Sequence, residues 1–136
     1  MSDSLASANV NRSYALAGTS IAIFTFILIF LYPRYVSGEA NPLLFHATLL
    51  VMGVATFAFV LASFSYYCAC AGSRFDELER ATHSRRADWF WLVGYTLLFL
   101  APSLILFAVG LWGIGAVWIA LWLIYLAFIL RYFPKI

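Results

Sequence analysis

Charged residues are scarce in this sequence. Only 10% of its 136 residues are Asp, Glu, Lys or Arg, whereas 65% are hydrophobic. A water-soluble domain carries about 25% charged residues, and a chain of this length could not bury so much apolar surface. The composition excludes a soluble globular domain and predicts a protein that crosses the bilayer several times. The net charge of +2 gives no basis for nucleic-acid binding.

Motifs that carry catalysis or transport are also missing. No Asp, Glu, Lys or Arg lies deep in a hydrophobic run, which argues against an ion-driven pump or a voltage sensor. The sequence has no Gly-x-x-x-x-Gly-Lys loop, no His-Glu-x-x-His motif and no Gly-x-Ser-x-Gly elbow. The two cysteines, Cys68 and Cys70, have no nearby histidine with which to complete a zinc site. We therefore expect no metal, no cofactor and, on balance, no enzyme.

Four hydrophobic runs predict an all-α membrane protein, a single domain built as a four-helix bundle. We place the spans at about 14–32, 43–71, 89–109 and 116–133, because a helix needs about 20 residues to cross the hydrocarbon core. Residues 1–13 are small and polar, and we expect a mobile tail. Pro33 is predicted to end the first span, and Asn41-Pro42 to open the second.

The last apolar run, residues 89–133, must fold back on itself. As one helix it would measure about 67 Å, twice the thickness of the bilayer core. Gly110, Gly113 and Gly115 mark the predicted turn. Pro102 is expected to kink the third span and free the carbonyl of Leu98. The Ser103 hydroxyl is one group that could satisfy that carbonyl.

Most charged residues lie in the connection 72–88. Ser73 and Asp76 have the spacing of a capping box, and the apolar residues that follow share one face. This pattern predicts a short amphipathic helix at the membrane surface, or a helical extension of one span. Arg85, Arg86 and Trp89 are expected to anchor the third span at the interface.

The distribution of lysine and arginine predicts the orientation. With four spans, both termini and the connection 72–88 share one side, which holds seven of these residues, while the other side holds only Arg34. The positive-inside rule then places both termini in the cytoplasm. The short loops favour the bacterial inner membrane, although a location in the endoplasmic reticulum would keep the same topology. The seven residues are Arg12, Arg74, Arg80, Arg85, Arg86, Arg131 and Lys135.

Small residues form a seam along the second span. Their spacing alternates between three and four residues, which places them on one helix face. Small side chains let two helices approach closely in lipid, where burial of apolar groups gains little. We expect this helix to be the one against which the others pack. The seam consists of Ala55, Ala58, Ala62, Ser65, Ala69 and Gly72.

A few polar side chains inside the spans are candidate site residues. His46 is the one ionisable residue within a span, and it is a candidate pH-sensing or ligand-contacting group that could pair with Glu39. The alternative is an interfacial histidine bonded to water or to a backbone carbonyl. Candidate pore-lining residues are Thr48, Thr56, Tyr95 and Ser103, although such hydroxyls more often bond within or between helices.

These observations leave three functional hypotheses. The first is a non-catalytic subunit or assembly component that associates with itself or with other membrane subunits through helix contacts. The second is a homo-oligomeric channel or small-solute transporter, because four spans enclose little pore alone. The third is a membrane enzyme acting on a lipid or quinone, for which only His46 and the tyrosines are available as acid–base groups.

Overall fold

The computed structural model describes residues 2–70 and 76–132. Within these ranges the chain forms four helices and no strand. All four helices are long and apolar enough to cross a membrane, which confirms the predicted all-helical class. They are α1 (Ser2–Val36), α2 (Pro42–Cys70), α3 (Glu77–Ala108) and α4 (Trp112–Tyr132).

α1 extends beyond the predicted span at both ends. The prediction that Pro33 ends it is wrong: a proline removes one amide donor, and the helix continues to Val36. The end is set instead by Gly38, whose φ of +79° is a conformation that glycine adopts without strain. The Gly38 amide donates to the Tyr35 carbonyl at 3.2 Å, as in a Schellman motif.

Residues 2–13 belong to α1 and are not the tail that their composition predicted. Val10 packs against Ala62, Tyr66 and Ala87, and Ser13 is fully buried. A helix covered by close neighbours can present small and polar side chains to them. This segment is therefore helical, with packing shown at Val10 and Ser13.

α2 begins at Pro42, as predicted. Asn41 Oδ1 accepts a hydrogen bond from the Leu44 amide at 3.2 Å, which is N-cap geometry. Pro42 suits the first helical position because no amide partner is needed there. The Asn41 amide donates to the Ala108 carbonyl at 3.1 Å, so the α1–α2 connection is tied to the last residue of α3.

The charged segment does not form a helix of its own. Residues 77–88 are the first turns of α3, which runs on to Ala108. Residues 77–93 contain no glycine or proline, so nothing interrupts the helix where the charged segment meets the apolar run. The structure has the second predicted alternative, a helical extension of a span. Ser73 lies outside the described residues, and its capping role stays a prediction.

α3 continues through Pro102. Ser103 is fully buried, and its hydroxyl has no hydrogen-bond partner among the described residues. The expectation that Ser103 satisfies the Leu98 carbonyl is therefore wrong, because this hydroxyl is packed and makes no hydrogen bond.

Gly110 makes the turn between α3 and α4, with φ of +83°. Its amide donates to the Phe107 carbonyl at 3.1 Å, and the Leu111 amide donates to the Leu106 carbonyl at 2.8 Å. This pair of bonds is a Schellman motif. The turn is shorter than predicted, because Gly113 and Gly115 lie within α4.

The helices divide into two compact units. Unit 1 contains Met1–Ile23 and Gly53–Tyr95, and unit 2 contains Phe24–Met52 and Thr96–Ile136. Unit 1 is thus built from segments of α1, α2 and α3. Unit 2 contains the remaining segments of these helices, the described part of α4 and both short connections.

Candidate functional site

The seam of small residues on α2 lies largely in the interior of unit 1. Ala55 and Ala62 are inaccessible to solvent, and Ala58 and Ser65 are buried. Ala69 is half-buried, and Gly72 lies outside the described residues. The seam is therefore covered within the chain over Ala55–Ser65.

Tyr66 links α2 to α3 beside this seam. Its hydroxyl donates a hydrogen bond to Asp88 Oδ1 at 2.5 Å. The tyrosine is 5% exposed and forms a buried cluster with Ala62 and Ala87. Sequence reasoning missed this pair because Asp88, directly before the predicted third span, is the kind of acidic residue expected at the membrane–water interface. The available signal was that Tyr66 lies one helical turn from Ala62, on the seam face.

Gly94 allows a second close contact in unit 1. A Cβ atom built at this glycine would lie 2.8 Å from the Phe59 ring, and Phe59 is fully buried. The ring of Tyr95 meets Phe59 edge-on, with 5.8 Å between the centroids. The absence of a side chain at Gly94 thus makes room for a buried phenylalanine, the small-against-large packing expected between membrane helices.

α1 contributes a matching face of small residues that the sequence reasoning also missed. Ser13, Ala17 and Ser20 are buried, and their spacing of four and three residues is the spacing that defined the α2 seam. The hydroxyl oxygens of Ser13 and Ser20 have no hydrogen-bond partner within the described ranges. Their alternating spacing could have identified this face. In the sequence-based prediction Ser13 lies in the mobile tail and Ala17 and Ser20 lie in the first span, so the three residues were not considered together.

His46 lies in unit 2, exposed on the first turns of α2. Its Nδ1 atom is 2.7 Å from the Pro42 carbonyl oxygen. The ring is edge-on to Tyr35 and Phe45, at centroid distances of 5.4 and 5.8 Å. Its ring and hydrogen-bond contacts with the described residues do not include Glu39, the predicted partner. The carbonyl contact is the one that the interfacial alternative anticipated.

The candidate pore-lining residues belong to both units. Thr48 is fully buried in unit 2 and donates to the Leu44 carbonyl at 2.7 Å. Ser103 is also buried there, whereas Thr56 and Tyr95 are half-buried in unit 1. Their role in lining a channel stays a prediction.

The predicted surface anchors lie at the surface. Arg85, Arg86 and Trp89 are exposed on α3, and the neighbouring Ala87 is fully buried. The helix therefore turns one face inward here and presents its cations and indole outward. Their contact with a membrane interface stays a prediction.

α3 and α4 form an aromatic cleft in unit 2. Its volume is about 200 Å³. Trp122 Nε1 donates to the Thr96 carbonyl at 2.9 Å, and Phe99 and Tyr125 contact at 5.2 Å between ring centroids. These contacts hold the cleft walls. The lining residues are Phe99, Trp118, Leu121, Trp122 and Tyr125.

Two features could bind a ligand or a partner: the aromatic cleft and the exposed His46 ring with its contacts to Tyr35 and Phe45. Among the described residues, no group of three or more His, Cys, Asp or Glu side chains could hold a metal ion. Comparisons with family models, curated proteins and solved structures find no match to this chain.

Proposed function

We propose that this chain is a non-catalytic membrane subunit or assembly component that acts through helix–helix contacts. The observation that carries this proposal is the uncovered surface of α4. Only 6% of the most hydrophobic window of α4 is buried, against 39% for α2. Gly115 is the buried residue of α4. The seam of α2 is covered within the chain over Ala55–Ser65, whereas α4 is the least covered of the four helices.

The aromatic cleft gives α4 a specific feature that a lipid-facing helix does not require. A cavity of ~150 Å³ holds a benzene ring, so a cleft of about 200 Å³ accepts one aromatic or branched side chain. A side chain inserted between helices is the usual geometry of close helix packing. The partner in this proposal is a transmembrane helix of a second copy or of another subunit.

The proposal includes the membrane location and orientation. Seven of the eight lysine and arginine residues lie on the side of the termini and the connection between α2 and α3, which supports cytoplasmic termini. The short connections support the bacterial inner membrane as the location. The orientation can be tested by labelling a cysteine introduced at Ser37, on the side that holds only Arg34, in a chain whose Cys68 and Cys70 are replaced by serine.

The experiment that tests the function is the mass of the intact assembly in native nanodiscs, for two matched variants. Leu121 and Leu123 are both 53% exposed, but only Leu121 lines the cleft. Leu121→Trp fills the cleft and is expected to release a second copy or a foreign subunit. Leu123→Trp adds the same bulk elsewhere on α4 and should leave the assembly intact.

Three outcomes bear on the proposal. A wild-type assembly that loses its partner only in Leu121→Trp supports it, and the partner names the complex. A wild-type chain that is purely monomeric contradicts it. Equal loss in both variants contradicts the role of the cleft, because bulk anywhere on α4 would then be sufficient.

A further inference from the structure

The hydrogen bond of His46 fixes which ring nitrogen carries the proton. The Pro42 carbonyl oxygen, 2.7 Å from Nδ1, can only accept. Nδ1 is therefore the donor, and in the neutral imidazole Nε2 is left with a lone pair. Nε2 has no hydrogen-bond partner among the described residues, and the side chain is exposed.

The orientation of the ring is also fixed. Phe45, which is 3% exposed, stands nearly perpendicular to it at 77°. Tyr35 stands at 86° on the same ring and stacks on Phe45 at 4.7 Å. Three contacts thus hold His46, and an acceptor held in place loses less freedom when it binds a donor than a mobile one does.

The surroundings of His46 are apolar. Leu43 and Leu50 lie three residues before and four residues after it on α2, which places them beside it on one helix face. They are 78% and 69% exposed. A molecule that reaches Nε2 therefore also contacts hydrocarbon side chains, so the fitting ligand combines one hydroxyl donor with an apolar body.

We propose that His46 Nε2 accepts a hydrogen bond from the hydroxyl group of a membrane-dissolved phenol or quinol. This site is independent of the proposed assembly function. Because Nδ1–H is bonded to Pro42, the neutral imidazole offers the ligand an acceptor and no donor. A quinol, which donates O–H, should therefore bind more tightly than the corresponding quinone, whose oxygens only accept.

The test uses the full chain in phosphatidylcholine nanodiscs, with a short-chain benzoquinol kept reduced under argon. The same compound in its oxidised form is the matched control ligand. His46→Phe keeps a ring against Tyr35 and Phe45 but removes Nε2, and should weaken quinol binding roughly 5- to 10-fold. His83→Phe, at the other histidine of the chain, should leave it unchanged.

Nitrogen NMR of the labelled imidazole provides a readout that does not depend on affinity. The unliganded protein should show the Nδ1–H tautomer, and quinol should shift the Nε2 resonance. An Nε2–H tautomer, equal binding of quinol and quinone, or unchanged binding in His46→Phe would each overturn the proposal. Displacement of quinol by phosphatidylglycerol would support the hydroxyl-accepting site and assign the natural donor to a lipid headgroup.

Discussion

α2 and α4 have almost the same mean hydropathy, yet their surroundings differ. The buried share of the most hydrophobic window is 39% in α2 and 6% in α4. α2 presents small residues such as Ala55, Ala58 and Ala62 to its neighbours, all of them buried. The buried residue of α4 is a glycine, Gly115. The two helices thus differ in burial and not in hydropathy, and the covered face of α2 consists of small side chains that permit close approach.

The largest expected effect comes from enlarging the α2 seam. Ala58→Leu together with Ala62→Leu inserts two branched side chains where the alanines are 5% and 0% exposed. Overpacking costs about 1–3 kcal/mol per site, so the pair should destabilise the fold by about 2–6 kcal/mol. Reversible unfolding in mixed micelles measures the change.

The matched control for the seam is on α4. Ala116 and Ala120 have the same spacing and are exposed, so Ala116→Leu with Ala120→Leu should change stability by no more than about 0.5 kcal/mol per site. If both double variants lost the same stability, burial of the α2 alanines could not explain the destabilisation of the α2 variant.

This contrast also shows how much of the fold the sequence could predict. Start and stop signals worked where local chemistry sets the boundary: Asn41 caps α2, and Gly110 closes α3. The ends of α1 and α3 could not be placed from hydropathy, because Ser2 and Glu77 begin helices in polar segments. Val10 shows that the start of α1 is packed against other helices, and packing is not visible in a hydropathy profile.

Two glycines, one beside a buried ring of α2 and one on the uncovered α4, should respond in opposite ways to substitution. Gly94→Ala would place a Cβ atom 2.8 Å from the fully buried Phe59 ring, and should cost about 1–3 kcal/mol. Gly113 on α4 has nothing within 4 Å of its Cβ position. Gly113→Ala should therefore stabilise the helix by up to about 1 kcal/mol. Effects of opposite sign in thermal unfolding support the packing argument, and destabilisation by both variants contradicts it.

The hydrogen bond between Tyr66 on α2 and Asp88 on α3 gives the next largest expected change in stability. Tyr66→Phe removes the hydrogen bond to Asp88 and should lower the free energy of unfolding by about 1.5 kcal/mol. This is the lower end of the range for hydrogen bonds to charged groups and the upper end of the range measured between membrane helices. Tyr67 is 62% exposed on the same helix, so Tyr67→Phe should be neutral within about 0.5 kcal/mol. Equal unfolding free energies for the two variants would show that the bond does not hold α2 to α3.

The candidate sites were less predictable than the helices. His46 stood out because it is the only histidine in a predicted span, and its contact with Pro42 in the structure identifies its tautomer. The Tyr66–Asp88 link and the buried face around Ala17 were missed, since each depends on which helix lies opposite. One sequence gives the face of a helix but not its neighbour.

The smallest effect tests whether α4 is attached by specific bonds or only by apolar contact. Trp122→Phe keeps an aromatic ring but removes the donor to the Thr96 carbonyl. Interhelical hydrogen bonds in membranes average about 0.6 kcal/mol, and the loss should be near that value.

Trp118 lines the same cleft and has no hydrogen bond to the described residues. Trp118→Phe should therefore remove only packing. A larger loss of stability in Trp118→Phe than in Trp122→Phe would mean that shape in the cleft, and not the indole bond, holds α4 against α3. In that case Leu121→Trp would disturb the fold as well as the assembly.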